Sequence, residues 1–120
     1  MENEERRLHK RHRPFDGALA INHHTLGPIV DISKGGLSFR YLEEESLRQA
    51  LLGHLGIFLS SNDFLIDHIE SKVVRDTLVA NTSSFLSTHT RQCSIQFLNL
   101  THHQTEQLGY FLQNMTNEQS

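Results

Sequence analysis

Five cationic side chains crowd into eight positions of this sequence. In RRLHKRHR, residues 6–13, Arg6, Arg7, Lys10, Arg11 and Arg13 supply nearly half of the chain's 11 Lys and Arg. The chain as a whole is acidic, with a formal net charge of −3 over 120 residues, and residues 14–120 hold six Lys or Arg against 11 Asp or Glu. That asymmetry points to an anionic partner for the basic segment; its plain alternative is a solvated tail. A second polar constellation lies in DISKGG, residues 31–36. Asp31 and Ser33 stand at i and i+2, on one side of an extended segment. Gly35 and Gly36 permit positive φ and open the backbone to a close-approaching ligand. Taken alone, the hexapeptide reads as a hairpin turn with Asx-type hydrogen bonds.

Other chemistry has less support. Among nine histidines, the adjacent pairs His23–His24 and His102–His103 diverge on either a strand or a helix. His9 and His12 can share a helix face but have no third ligand nearby, so surface histidines and no metal site are expected. Within the basic segment these two would gain charge below about pH 6.5 and strengthen anion binding in acid. Cys93, the sole cysteine, excludes an internal disulfide and sits in an alternating apolar strand as a buried filler. No Ser, His and Asp spacing favours a triad, so the chain is not expected to be an enzyme.

The elements that must position these residues are mostly strands. Pro14 disfavours helix at Arg13, and PFDGALAINH, GPIVDIS and HLGIFLSS read as strands bounded by turn residues. In GGLSFRYL, Leu37, Phe39 and Tyr41 alternate with Ser38, Arg40 and Leu42; in RQCSIQFLNL, Cys93, Ile95 and Phe97 alternate with Ser94 and Gln96. FLIDHIESKVVRDTLVAN is a long strand with no wholly apolar face, which predicts a bulge or bend within it. EEESLRQALLG fits a short helical turn carrying Leu47 and Leu51, and NTSSFLSTHT a polar connection. Thr101 and Gln104 form a capping box, followed by Leu108, Phe111, Leu112 and Met115 at helical spacing. Short antiparallel strands followed by one helix predict a small barrel or sandwich.

ERRLHKR followed by GPIVDISKGGLSF closely resembles the PilZ domain, whose signature is an Arg-x-x-x-Arg element and a downstream Asp/Asn-x-Ser-x-x-Gly element. Arg7 and Arg11 match the first, with Arg6 directly before it; Asp31, Ser33 and Gly36 match the second. The resemblance extends through IESKVVR, QCSIQFLNL and the terminal helix, and so covers essentially the whole chain. It implies a six-stranded antiparallel β-barrel, residues 14–120, with a C-terminal helix over about 101–116 and a flexible basic arm over residues 1–13. It also implies a bacterial, cytoplasmic receptor for the second messenger cyclic di-GMP, without enzymatic activity and without a cofactor. The implied ligand contacts are Arg6, Arg7, Arg11, Asp31, Ser33 and Gly36, with Lys10, Gly35, Arg40 and Arg75 as candidates for further contacts. Arg40 and Arg75 read first as solvated strand arginines. Arg6 occupies the place associated with capture of two intercalated ligand molecules. Two departures stand out: Ser94 lies where many members have glycine, and the chain has no Trp.

The chemistry of those residue types suits that ligand. Arginine's planar fork binds phosphate and the O6/N7 edge of guanine bidentately, and its face stacks on purines. Asp31 would accept from guanine N1–H and N2–H₂, groups that adenine lacks. A segment that is mobile until it meets two phosphates and then folds onto the barrel would create a surface for a downstream protein to read. Two alternatives remain: a PilZ-like adaptor that binds only proteins, and a nucleic-acid binder, which the acidic body disfavours. MENEERR has no apolar stretch and no run of about 18 apolar residues occurs, so neither a secretory signal nor membrane insertion is expected.

Overall fold

The structure, a computed structural model, describes residues 9–22, 24–43, 53–79 and 89–118. Arg6, Arg7, the expected helical turn around Leu47 and Leu51, and most of the polar connection at 81–90 lie outside these residues. Among the described residues the order is β1 (His12–Pro14), β2 (Leu19–Asn22), β3 (His24–Ile32), β4 (Gly36–Leu42), β5 (Gly53–Leu59), β6 (Phe64–Leu78), β7 (Thr90–Phe97), α1 (His102–Asn114) and β8 (Thr116–Glu118). The antiparallel order β2-β5-β6-β7-β4-β3 closes on itself through a β2–β3 pairing. The result is a six-stranded barrel, in which closure removes the sheet edges. None of the described helices is long and apolar enough to cross a membrane.

Alternation sets which side chains fill the barrel. Leu37, Phe39 and Tyr41 of β4 and Cys93, Ile95 and Phe97 of β7 are all buried, with Phe39 and Cys93 fully so. The capping box starts α1 as expected: Gln104 N–H donates to Thr101 Oγ1 at 3.0 Å, and Thr101 N–H donates to Gln104 Oε1 at 3.0 Å. Leu108, Phe111, Leu112 and Met115 then join the same core, with the Phe111 ring 5.1 Å from that of Phe64. Burying a side chain of that size contributes about 1.5–3 kcal/mol.

Four bulges bend this regular pattern. Register shifts fall where Ala20 and Ile21 of β2 face Gly27 and Thr25 of β3, between Ile29 and Asp31, between Val73 and Arg75, and where Leu55 and Ile57 of β5 face Ile69 and Ile66 of β6. The long strand is therefore irregular twice, in line with its mixed faces. Each extra residue inverts the inward–outward alternation beyond it. Ile29 and Ile32, and likewise Ile66 and Ile69, are buried together despite a spacing of three.

The first and last described strands meet on one side of the barrel. β1 pairs with β3 and also with β8, a strand the sequence pattern did not signal. Pairing thus begins at His12, two residues before the expected start of the barrel, and the helix stops at Asn114 rather than near 116. Phe15 N–H donates to Met115 O at 2.9 Å. Thr116 Oγ1 donates to Leu112 O, which leaves it to accept from His12 Nδ1 at 3.0 Å.

Candidate ligand cleft on the barrel face

Four strands present one cross-strand row. Asp31 of β3 lies opposite Ser38 of β4, Ser38 opposite Ser94 of β7, and Ser94 opposite Arg75 of β6. The Ser38 and Ser94 hydroxyls are hydrogen-bonded at 2.7 Å and form the polar middle of the row. Its two charged ends owe their places to bulges. In unbroken register Val30 would take the place opposite Ser38 and Asp31 would face the buried Leu37; likewise Val74 would take the place opposite Ser94 and Arg75 would face the buried Cys93. The row lies in a cleft of ≈ 260 Å³ whose walls also include His9, Arg11, Ser33, Gly35 and Gly36.

The turn between β3 and β4 is shaped by Ser33. Its N–H donates to Gly36 O at 2.8 Å, and its Oγ accepts from Gly35 N–H at 3.2 Å. Neither Gly35 nor Gly36 uses positive φ, contrary to the reason the sequence suggested for them. Gly36 is required by close packing instead. A Cβ there would lie 2.1 Å from the Ile95 carbonyl oxygen of β7, whereas one on Gly35 would meet only the His9 ring, at 2.9 Å.

Arg11 reaches across to this turn. Its Nη1 donates to Asp31 Oδ2 at 3.0 Å, leaving the second Asp31 oxygen for another donor. Arg75 has no hydrogen-bond or ion-pair partner among the described residues, so its fork is available at the far end of the row. It lines the cleft as an exposed strand arginine, the solvated state the sequence favoured for it. Arg40 does stand apart, donating from Nε to Gln92 Oε1 at 3.3 Å. Lys10 lines a neighbouring groove and not this cleft. Sequence reasoning passed over His9, Ser38 and Ser94 as cleft residues. His9 was signalled by its spacing, two residues from both Arg7 and Arg11, and the serines by their outward places in alternating strands.

A separate polar network ties three strands together. Tyr41 of β4 donates to Asp76 Oδ2 at 2.6 Å, and Arg91 of β7 donates from Nε to Asp76 Oδ1 at 3.0 Å. Burial, then the bond to the Asp76 carboxylate, pushes the Tyr41 hydroxyl above its usual range. Burial, then the charge of Asp76, pushes the Cys93 thiol up to about 12. Cys93 therefore stays a protonated thiol at neutral pH, and its side chain is fully buried.

No family model, curated protein or solved structure matches this chain.

Proposed function

We propose that this chain is a PilZ-type receptor for cyclic di-GMP, acting in the bacterial cytoplasm and passing its signal to a partner protein. The observation that carries the reading is the convergence of Arg11, Asp31, Ser33, Gly36 and Arg75 on one cleft, since the first four belong to the two separated signature elements. The free Asp31 oxygen accepts from the guanine N1–H and N2–H₂ edge. Arg11 exchanges Asp31 for a phosphodiester, and Arg75 offers a second fork across the Ser38–Ser94 floor. The described cleft is small beside typical ligand pockets of about 300–1,000 Å³, so the basic arm completes it. Arg7 is two residues from His9 in the cleft wall, near enough in sequence for Arg6 and Arg7 to fold over the bound ligand, and Arg6 favours an intercalated ligand pair. Ordering of that arm is the signal a partner reads.

Calorimetry with cyclic di-GMP on the native chain, Arg7→Ala and Asp31→Ala tests this. Saturable binding lost in both variants supports the receptor, with two ligands per chain marking the intercalated pair. A second reading, a protein-only adaptor, is favoured by the Arg11–Asp31 pair, in which the two charges already face each other without ligand. No heat from folded native protein selects that reading.

A further inference from the structure

Beside the cleft, and sharing His9 with it, runs a larger groove of ≈ 930 Å³. One wall is the outer stripe of α1: Glu106, Gly109, Tyr110 and Gln113, at i, i+3, i+4 and i+7 and thus on one helix face. The opposite wall is basic, formed by His9, Lys10 and His12 with Lys34 from the β3–β4 turn. Lys34 is exposed and has no ion-pair partner among the described residues. Glu106, the acidic side chain in the lining, already lies 2.9 Å from His102 Nε2. In a chain of net charge −3 with its histidines neutral, this side of the groove therefore carries the two lysines Lys10 and Lys34 and two imidazoles as hydrogen-bonding groups.

Gly109 adds a second, independent observation. Among ordinary residues glycine is the poorest helix former apart from proline, yet Gly109 sits inside α1 with nothing beyond its chain neighbours and the local helix backbone within 4 Å of where a Cβ would stand. No neighbour in the chain needs the missing side chain, and the residue is neither at positive φ nor in a turn. The open notch lies beside Tyr110, which is 56% exposed and stacked on Phe64 with ring centroids 6.4 Å apart. A small-residue notch against a fixed aromatic ring is a seat for one apolar side chain.

We propose that this groove docks an acidic, extended segment of a partner protein. An aromatic or aliphatic side chain of the segment lies over Gly109 against Tyr110, and its carboxylates face Lys34 and His9. The proposal names the surface that the partner in the receptor reading would use, but it stands on the groove's own lining and is tested without nucleotide. Failure of one is therefore distinguishable from failure of the other. A polyanionic nucleic acid fits less well, because it has no aliphatic side chain for the notch.

The test is selection of a displayed library of random twelve-residue peptides on the full chain, then titration of a selected peptide into nitrogen-15-labelled protein. The expected peptides carry Asp or Glu around one aromatic or aliphatic position, and shift the amides of Lys34, Gly109 and Tyr110. Gly109→Leu fills the notch and weakens binding at least about tenfold; Lys34→Glu weakens it by several-fold. Circular dichroism checks that both variants fold. The proposal is overturned by failure to select a peptide, by peptides without acidic enrichment, by shifts centred elsewhere, or by unchanged affinity in Gly109→Leu. Displacement of the peptide by a twelve-nucleotide oligothymidylate that binds more tightly would also overturn it and assign the groove to nucleic acid.

Discussion

Arg11 Nη1 and Asp31 Oδ2, from residues 20 positions apart, meet at 3.0 Å. The contact joins the basic segment to a bulged barrel strand, and both partners are groups the proposed ligand needs. In the proposed receptor this pair is the ligand-free arrangement that an incoming phosphate would displace.

The Arg11 side chain is 41% exposed and that of Asp31 16%, so water screens their attraction. A double-mutant cycle with Arg11→Ala and Asp31→Ala, read by urea denaturation, is expected to give a coupling below about 1 kcal/mol. Each single variant should nevertheless weaken cyclic di-GMP binding by at least about tenfold, since hydrogen bonds to charged groups are worth about 1.5–3 kcal/mol. A coupling of several kcal/mol, with binding intact, would make the pair a structural element and remove it from the site.

Arg75 of β6 and Arg40 of β4 are both exposed strand arginines on either side of β7, but only Arg75 lines the cleft. Arg75→Ala should leave stability within about 0.5 kcal/mol, as for a surface substitution, and reduce nucleotide affinity. Arg40→Ala should change neither beyond the loss of its Gln92 bond. Equal effects of the two substitutions on calorimetric affinity would reduce the cleft to a general basic field.

Tyr41 and Cys93 both have pKa values raised in the fold, that of Cys93 from an ordinary 9.0 to about 12. In the unfolded chain these groups lose their protons first. Their contribution to stability is thus fully present below about pH 8.5 and is lost as pH rises toward 12 and beyond. Urea midpoints should fall above about pH 9, and the fall should be shallower in Tyr41→Phe. That variant also loses a bond to a carboxylate, and its stability at pH 7 should drop by about 1–3 kcal/mol. An alkaline profile identical in Tyr41→Phe and Cys93→Ala to that of the native chain would contradict this account.

Gln104 has two roles that one substitution separates. Its Oε1 accepts from Thr101 N–H, while its Nε2 donates to the carbonyls of Asp67 and His68 at 3.0 and 3.1 Å. Glutamate suits a capping box as well as glutamine does, yet Gln104→Glu would set a carboxylate oxygen against two carbonyls. A loss of about 1–3 kcal/mol is expected, measured by thermal or urea unfolding. A neutral result would show that the tie to the β6 bulge contributes nothing.

Two glycines should respond oppositely to alanine. Gly36→Ala drives a Cβ toward the Ile95 carbonyl oxygen at 2.1 Å, which backbone cannot yield cheaply, so a loss of about 1–3 kcal/mol is expected. Gly109→Ala meets nothing within 4 Å and should stabilise the helix by up to about 1 kcal/mol. Denaturation midpoints of both variants decide it; destabilisation by Gly109→Ala would show a packing need for that glycine.

Local pattern along the chain set whatever depends on neighbours a few positions apart. The alternation in Gly36–Leu42 and Thr90–Phe97, the Thr101–Gln104 cap, the buried stripe of α1 and the clustering of Asp31, Ser33 and Gly36 about one turn are all of this kind. Tertiary structure alone decided which charged side chains share a face. Period-2 reasoning assigns Asp31 and Arg75 correctly only once the extra Val30 and Val74 are known, and a bulge is defined by register against a partner strand. The Ser38–Ser94 floor, the meeting of Arg11 with Asp31 and the pairing of β1 with β8 likewise join residues from distant parts of the chain. One inserted residue inverts every side chain beyond it, so local pattern can name the residues of this site but cannot say which way they point.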